Sequence, residues 1–177
     1  MLEQSPIPPE RRFVGTLADA HLPDGSVDLF FMLGVTTYMA DAEIAACFRT
    51  MARAAVLGAV AVVTYTNRRS VEHHLQRLAS AVLRIAGAAC LLGADWRVAG
   101  QSFTRNFMTL EQFAGLLPEG CQIAEAVAFN QTFTPLNRIA PGLSIRAERL
   151  ICRLTPAGSA ARRRLSSDLL VEIAFPG

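Results

Sequence analysis

The residues best placed to do chemistry lie between 13 and 38, in FVGTLADAHLPDGSVDLFFMLGVTTY. Asp19-Ala20 follows a short apolar run. Leu22-Pro23 and Asp24-Gly25 read as turns, and Asp28 opens a second apolar run at 27–33. Open α/β sheets bind ligands in a crevice beyond the carboxyl ends of parallel strands, and acidic residues at strand ends are how such a crevice is lined. Asp is also a common turn residue in its own right, which is the plainer reading of Asp19. His73-His74 falls on a predicted helix, with His74 near its apolar face; a partly buried, hydrogen-bonded histidine is the ordinary account of such a residue. No G-x-S-x-G elbow occurs, so a serine nucleophile of that kind is not indicated.

These residues need a frame. Residues 13–18, 27–33, 59–65, 122–133 and 169–175 read as strands. The 27–33 and 59–65 runs are apolar throughout, the pattern of strands covered on both faces. Between them Asp41 is a plausible N-cap, and Ile44, Cys47, Phe48 and Met51 recur at helical spacing, predicting a helix over 41–54 that Gly58 follows with a turn. Strand, helix, strand demands a crossover and hence parallel pairing. Ser70 caps a second helix, to about 88, with Val71, Leu75, Leu78, Val82 and Ile85 on one face. Residues 93–107 read as loop. Thr109-Leu110-Glu111-Gln112 is a capping box with Met108 and Phe113 as its staple, and Pro118 and Gly120 end that helix. A further helix is expected over 144–154. Residues 1–11 are a proline-rich extended lead-in.

Composition sets limits. The chain has 177 residues, long enough for one domain with a real core. Hydrophobic residues make up 51% and charged residues 18%, which argues for a buried sheet and against disorder. A net charge of +2 is too small to imply a nucleic-acid partner, and Arg162-Arg163-Arg164 reads as a solvated helix face. Cys47, Cys90, Cys121 and Cys152 are scattered with no C-x-x-C pair, so no metal site is expected; they read as free thiols in a reducing cytoplasm. The apolar stretch 79–92 is interrupted by Arg84 and too short to span a bilayer.

With these residues in view, the chain resembles class I S-adenosylmethionine-dependent methyltransferases of the small-molecule, methyltransferase type 11 kind. The resemblance rests on Asp19-Ala20, Leu22-Pro23, Asp24-Gly25 and Val27-Asp28, on Arg53 and Gly58 as remnants of a turn before the fifth strand, and on the late helix and closing strands at 109–133 and 169–175. It implies an α/β fold, a partial Rossmann-like methyltransferase sheet, mostly parallel with an antiparallel C-terminal hairpin. It also implies S-adenosyl-L-methionine as cofactor, with Asp19 accepting from the adenine amino group, the Ala20 N–H meeting a ring nitrogen, and the strand end at Met32 and Leu33 facing the methionine part. Tyr38 would lie near the transferred methyl. The acceptor would be a small molecule.

One departure is severe. The family's Asp/Glu-x-Gly-x-Gly-x-Gly loop and the acidic residue that holds the ribose are absent, since both precede the Asp-Ala element. The expectation is therefore one domain over 1–177, truncated at its front, with an exposed sheet edge that could take a second copy or a partner. Two functions follow: methyl transfer to a small molecule by this chain or by the enzyme of which it is the C-terminal part, or a non-catalytic methyltransferase-like interaction module or inactive fragment. A nicotinamide-dependent enzyme is the weaker third, because that cofactor too needs a Gly-rich loop.

Overall fold

The computed structural model describes residues 8, 13, 15–85, 96–98, 101–103, 105–130, 140–156 and 158–176. In chain order the elements are β1 (Val27–Met32), α1 (Asp41–Ala54), β2 (Ala55–Thr66), α2 (Val71–Ile85), β3 (Trp96–Val98), β4 (Gln101–Phe103), α3 (Leu110–Ala114), β5 (Gln122–Phe129), α4 (Pro141–Leu154), α5 (Ala160–Leu165) and β6 (Asp168–Ala174). The main sheet has the order β1-β2-β6-β5. β1 and β2 are parallel, as the crossover through α1 requires, whereas β6 runs antiparallel to both β2 and β5. This is the partial Rossmann-like sheet the sequence implies, but it is mixed and not mostly parallel: of its three strand pairs only β1–β2 is parallel. The antiparallel pair β5–β6 is joined through α4 and α5, not by a tight turn.

Register decides what each face carries. Phe30 pairs with Ala61, Ala61 with Ile173 and Ile173 with Ile123; Met32, Val63, Val171 and Ala126 form the next row. Side chains alternate across a strand, so these rows share one face. That face holds the core, with Phe30, Met32, Ala61, Val63, Tyr65, Leu169, Val171 and Ile173 all buried. α1 covers it through Ile44, Cys47, Phe48, Met51 and Ala54, every one buried. Phe113 of α3 closes the layer, edge-on to Phe48 at 5.4 Å between ring centroids and stacked on Tyr65 at 4.8 Å.

Several local expectations change. The described residues of 13–18 form no strand: Phe13 is exposed, Gly15 bends the chain, and Leu17–Asp19 is a short 3₁₀ turn. The reason is local. Asp19 reaches back to the Thr16 amide and hydroxyl, and that bonding competes with a sheet ladder. The N-cap of α1 is Ala40, not Asp41, and Glu43 Oε2 accepts from the Ala40 amide at 2.7 Å. α1 runs directly into β2. Gly58 therefore makes no turn. It lies inside β2 at φ 78°, within the irregularity that shifts the β1–β2 register from Val27↔Ala55 to Leu29↔Val60, a left-handed conformation that suits glycine. The stretch 93–107 contains the β3–β4 pair, whereas the basic cluster does lie on a helix, α5, as its reading as a helix face implies. The Thr109 capping box is present: Thr109 Oγ1 accepts from Gln112 N and Gln112 Oε1 from Thr109 N. Ser70 Oγ caps α2 by accepting from His73 N at 3.1 Å. The lead-in at 1–11, except Pro8, and the ends of the 70–88, 79–92 and 122–133 segments lie outside the described residues, as does Cys90.

Candidate functional site

The carboxyl end of β1 is where an open α/β sheet places a ligand. Here β1 ends at Met32, which is buried, and Leu33 beyond it is half exposed. Gly34 follows at φ 70° with open space where a side chain would stand. Its amide donates to Thr64 Oγ1 at 2.7 Å. Thr36 Oγ1 donates to the Thr64 carbonyl at 2.7 Å, and the Thr37 and Thr66 hydroxyls bond each other at 2.8 Å. Four threonines thus fasten the turn after β1 to the end of β2. Tyr38, at the end of that turn, is exposed.

A second strap crosses the same end of the sheet. The Asn106 amide donates to Thr37 O, and its side chain donates to Met39 O and Asp41 Oδ1. Met108 pairs in parallel with Asn67, its amide donating to Thr66 O while Arg68 N donates to Met108 O. Asn67 is buried and spends its side chain fully: Nδ2 donates to Arg163 O and Ser166 O, and Oδ1 accepts from Arg69 N. So β1, β2, the 105–108 segment and α5 converge on one end of the sheet.

Asp19 and Ala20 have a different support. Their 3₁₀ turn packs on α1. Asp19 Oδ2 accepts from Thr16 Oγ1 at 2.5 Å and Thr16 N at 3.2 Å, and those bonds hold its carboxyl below the usual carboxylate value. The Ala20 amide donates to Leu17 O at 3.2 Å. Asp19–Ala20 therefore stands beside α1, and Met32–Leu33 stands at the tip of β1. Asp28, on β1, is exposed.

Of the histidine pair, His73 is half buried and His74 exposed. The His73 ring lies 4.4 Å from the Phe107 ring. Burial, then the charges of Arg77, His74, Arg68 and Arg105, push its pKa down. It lines a cavity of about 10 Å³ with Thr66, Ser70, Gln76 and Phe107, room for about one water. A larger pocket, about 310 Å³, opens beside it between Asn67, Arg69, α3 and α5. No grouping of His, Cys, Asp and Glu able to hold a metal ion occurs among the described residues. No helix among them is long and apolar enough to cross a membrane.

Sequence reasoning missed the threonine clasp, Asn67 and Asn106. A signal for the first two existed: Thr64-Tyr65-Thr66-Asn67 is a polar burst at the end of an apolar strand, where the sheet rule places function. Asn106 carries no comparable local signal, because its partners are some 65 residues away in sequence.

No family model matches the chain, and no curated protein matches it. Solved structures do. A SAM-dependent methyltransferase from Methanosarcina mazei superposes with a TM-score of 0.55 at 13% identity, covering 93% of this chain and 66% of that one. A SAM-dependent methyltransferase from Thermotoga maritima gives 0.53 at 12%, covering 92% and 62%. A protein described as a methyltransferase, in complex with the Haloferax volcanii methyltransferase activator Trm112, gives 0.53 at 16%, covering 93% and 60%. The fold is that of the class I SAM-dependent methyltransferases. The chain spans less than two thirds of the length of these three structures.

Proposed function

We propose that this chain forms the C-terminal, acceptor-side part of a SAM-dependent methyltransferase acting on a small molecule, as a single domain over 1–177. The carrying observation is the pairing of that fold with a strand end opened by Gly34 and held by four threonines.

The residues present fit one edge of the cofactor. The exposed Asp19 carboxylate has Oδ1 to offer the adenine amine beyond its Oδ2 bonds to Thr16, and Ala20 beside it adds no bulk. Met32 and Leu33 present backbone at the strand end, and Gly34 leaves that end clear. Bound there, the cofactor supplies a methyl group on a sulfonium, whose transfer needs mainly proximity and in-line orientation. This chain's share is positioning: the threonine clasp and the Asn106 strap fix the turn carrying Tyr38, and His73, which lines a small cavity with Thr66 and whose pKa burial lowers, is a group able to accept a proton. The ribose and carboxylate contacts belong to a segment or partner that pairs with the exposed edge of β1.

Titration calorimetry with S-adenosylhomocysteine tests the assignment. The chain by itself is expected to bind more weakly than micromolar. Where binding is measurable, Asp19→Ala should raise Kd about 10- to 150-fold, the loss of a charge-assisted bond worth roughly 1.5–3 kcal/mol. Low-micromolar binding that Asp19→Ala leaves unchanged would refute this placement of the cofactor.

A further inference from the structure

The 310 Å³ pocket has a composition that the methyl-transfer reading does not use. Its walls are Arg69 and Asn67 after β2, Leu110 and Glu111 of α3, Ala160, Arg163 and Arg164 of α5, and Leu169 of β6. Three guanidinium groups face one carboxylate. Arg69 Nη1 is bonded to Glu111 Oε1 at 2.9 Å, which leaves Arg163 and Arg164 without an ion-pair partner among the described residues. Arg163 is partly buried, while Arg164 is exposed.

A second observation points the same way. Tyr65 is 1% exposed and its hydroxyl has no hydrogen-bond partner. Buried hydroxyls are almost always bonded, and an orphan asks for an explanation. Besides burial, the charges acting on this hydroxyl are those of Glu111, Arg163 and Arg69, all three of which line the pocket. Tyr65 pairs directly with Leu169, also a pocket residue, so both side chains share one face of the sheet. An unspent donor thus lies within Coulomb range of the unpaired Arg163, although Tyr65 itself does not line the pocket.

We propose that this pocket binds a small organic anion: a carboxylate or phosphate group held by Arg163 and Arg164, with a short apolar body over Leu110, Ala160 and Leu169. Guanidinium forks match the oxygen pairs of both groups, and the three apolar residues give a contact surface that inorganic ions do not need. Pockets of about 300 Å³ are at the small end of those that hold small molecules. Glu111 sets the selectivity. It neutralises Arg69 and repels any second negative charge, so a singly anchored anion fits better than a polyanion.

The test uses the 177-residue chain, without cofactor, and hexanoate and butyl phosphate as probes in titration calorimetry. At least one probe should bind saturably; which one binds better tells carboxylate from phosphate. Arg163→Ala with Arg164→Ala should weaken it about tenfold or more, as expected for charge-assisted bonds. Arg146→Ala with Arg149→Ala, both exposed on α4 and outside the pocket lining, removes the same net charge and should change the affinity less than about twofold, since exposed charges that make no direct contact are screened by salt. Glu111→Gln should tighten binding several-fold, a gain that misfolding cannot mimic. Absence of saturable binding by both probes, an equal loss in the two arginine pairs, or weaker binding by Glu111→Gln would overturn the proposal.

Discussion

The two faces of the main sheet are built from the same strands and end differently. On one, Phe30, Ala61, Val63, Tyr65, Val171 and Ile173 are buried beneath α1 and α3. On the other, Leu29 is 47% exposed and Phe31 65% exposed, while their partners Val60 and Val62 on β2 are only half covered. The far face changes character along the sheet. β6 presents Asp168 and Glu172 there, alternating with buried Leu169, Val171 and Ile173, whereas β1 is apolar on both sides after Asp28. Alternation marks a strand with one dry face; a run apolar on both faces marks a strand meant to be covered twice. β1 is therefore patterned for a second layer and for a neighbour on its free edge, and an exposed apolar edge of this kind pairs readily with other strands. That pattern supports the proposal that the remainder of the cofactor site lies on a segment or partner that docks at β1.

The comparison breaks most sharply with one substitution made on each face. Phe113→Ala removes a fully buried ring that touches Phe48 and Tyr65, and should cost about 3–5 kcal/mol of stability. Phe31→Ala should change stability by about 0.5 kcal/mol or less, in the range of surface substitutions, while lowering self-association. Urea unfolding measures the first quantity and sedimentation the second. Comparable stability losses at the two positions would mean the far face is covered as well as the near one.

Asn67→Ala comes next. It removes the donors to two carbonyls and the acceptor of a third bond at the junction of β2, α5 and β6, and should cost about 1–3 kcal/mol. Because the strap is specific to this end of the sheet, hydrogen exchange should quicken around 163–167 and leave the β1 edge unchanged.

A smaller effect follows from His73. Its folded-state pKa lies below the ordinary 6.5, so the unfolded chain binds a proton more readily. The contribution of the neutral ring is complete above about pH 6.5 and is lost as the pH falls through the depressed folded-state value. Arg77, His74, Arg68 and Arg105 all oppose its protonation. His73→Gln should flatten the stability profile across that window, as thermal melts between pH 7.5 and 5 would show. An unchanged slope would assign it to other groups.

The smallest change is expected at the Arg53–Asp24 pair. Arg53 also donates to Leu22 O, and both side chains are substantially exposed. Asp24→Asn should therefore cost less than about 1 kcal/mol, whatever its effect on the Leu22–Gly25 turn. A larger loss in thermal melts would show that this turn anchors α1 more than its exposure suggests.

Much of the frame was legible because its signals are local or periodic. Ile44, Cys47, Phe48 and Met51 marked α1, the Thr109–Gln112 box and Ser70 marked two helix starts, and the apolar runs marked β1, β2 and β6. The site was less legible. Asp19–Ala20 and Met32–Leu33 were picked out by their order in a motif, and the fold sets them on separate supports, beside α1 and at the tip of β1. The 13–18 run has strand composition, but a strand needs a partner, and the Thr16–Asp19 bonds favoured a turn instead.

The sequence by itself determined which segments are apolar, where α2 and α3 begin and that β1 and β2 run parallel, since these depend on side-chain periodicity, capping and the length of one crossover. Only the tertiary structure decided which face of β1 is covered, that Gly58 belongs to an irregular strand, that Asn67 and Asn106 tie distant segments together, and that Arg69, Glu111, Arg163 and Arg164 gather around one pocket. Each of those depends on groups far apart in the chain brought within hydrogen-bond or Coulomb range, a distance that no local pattern encodes.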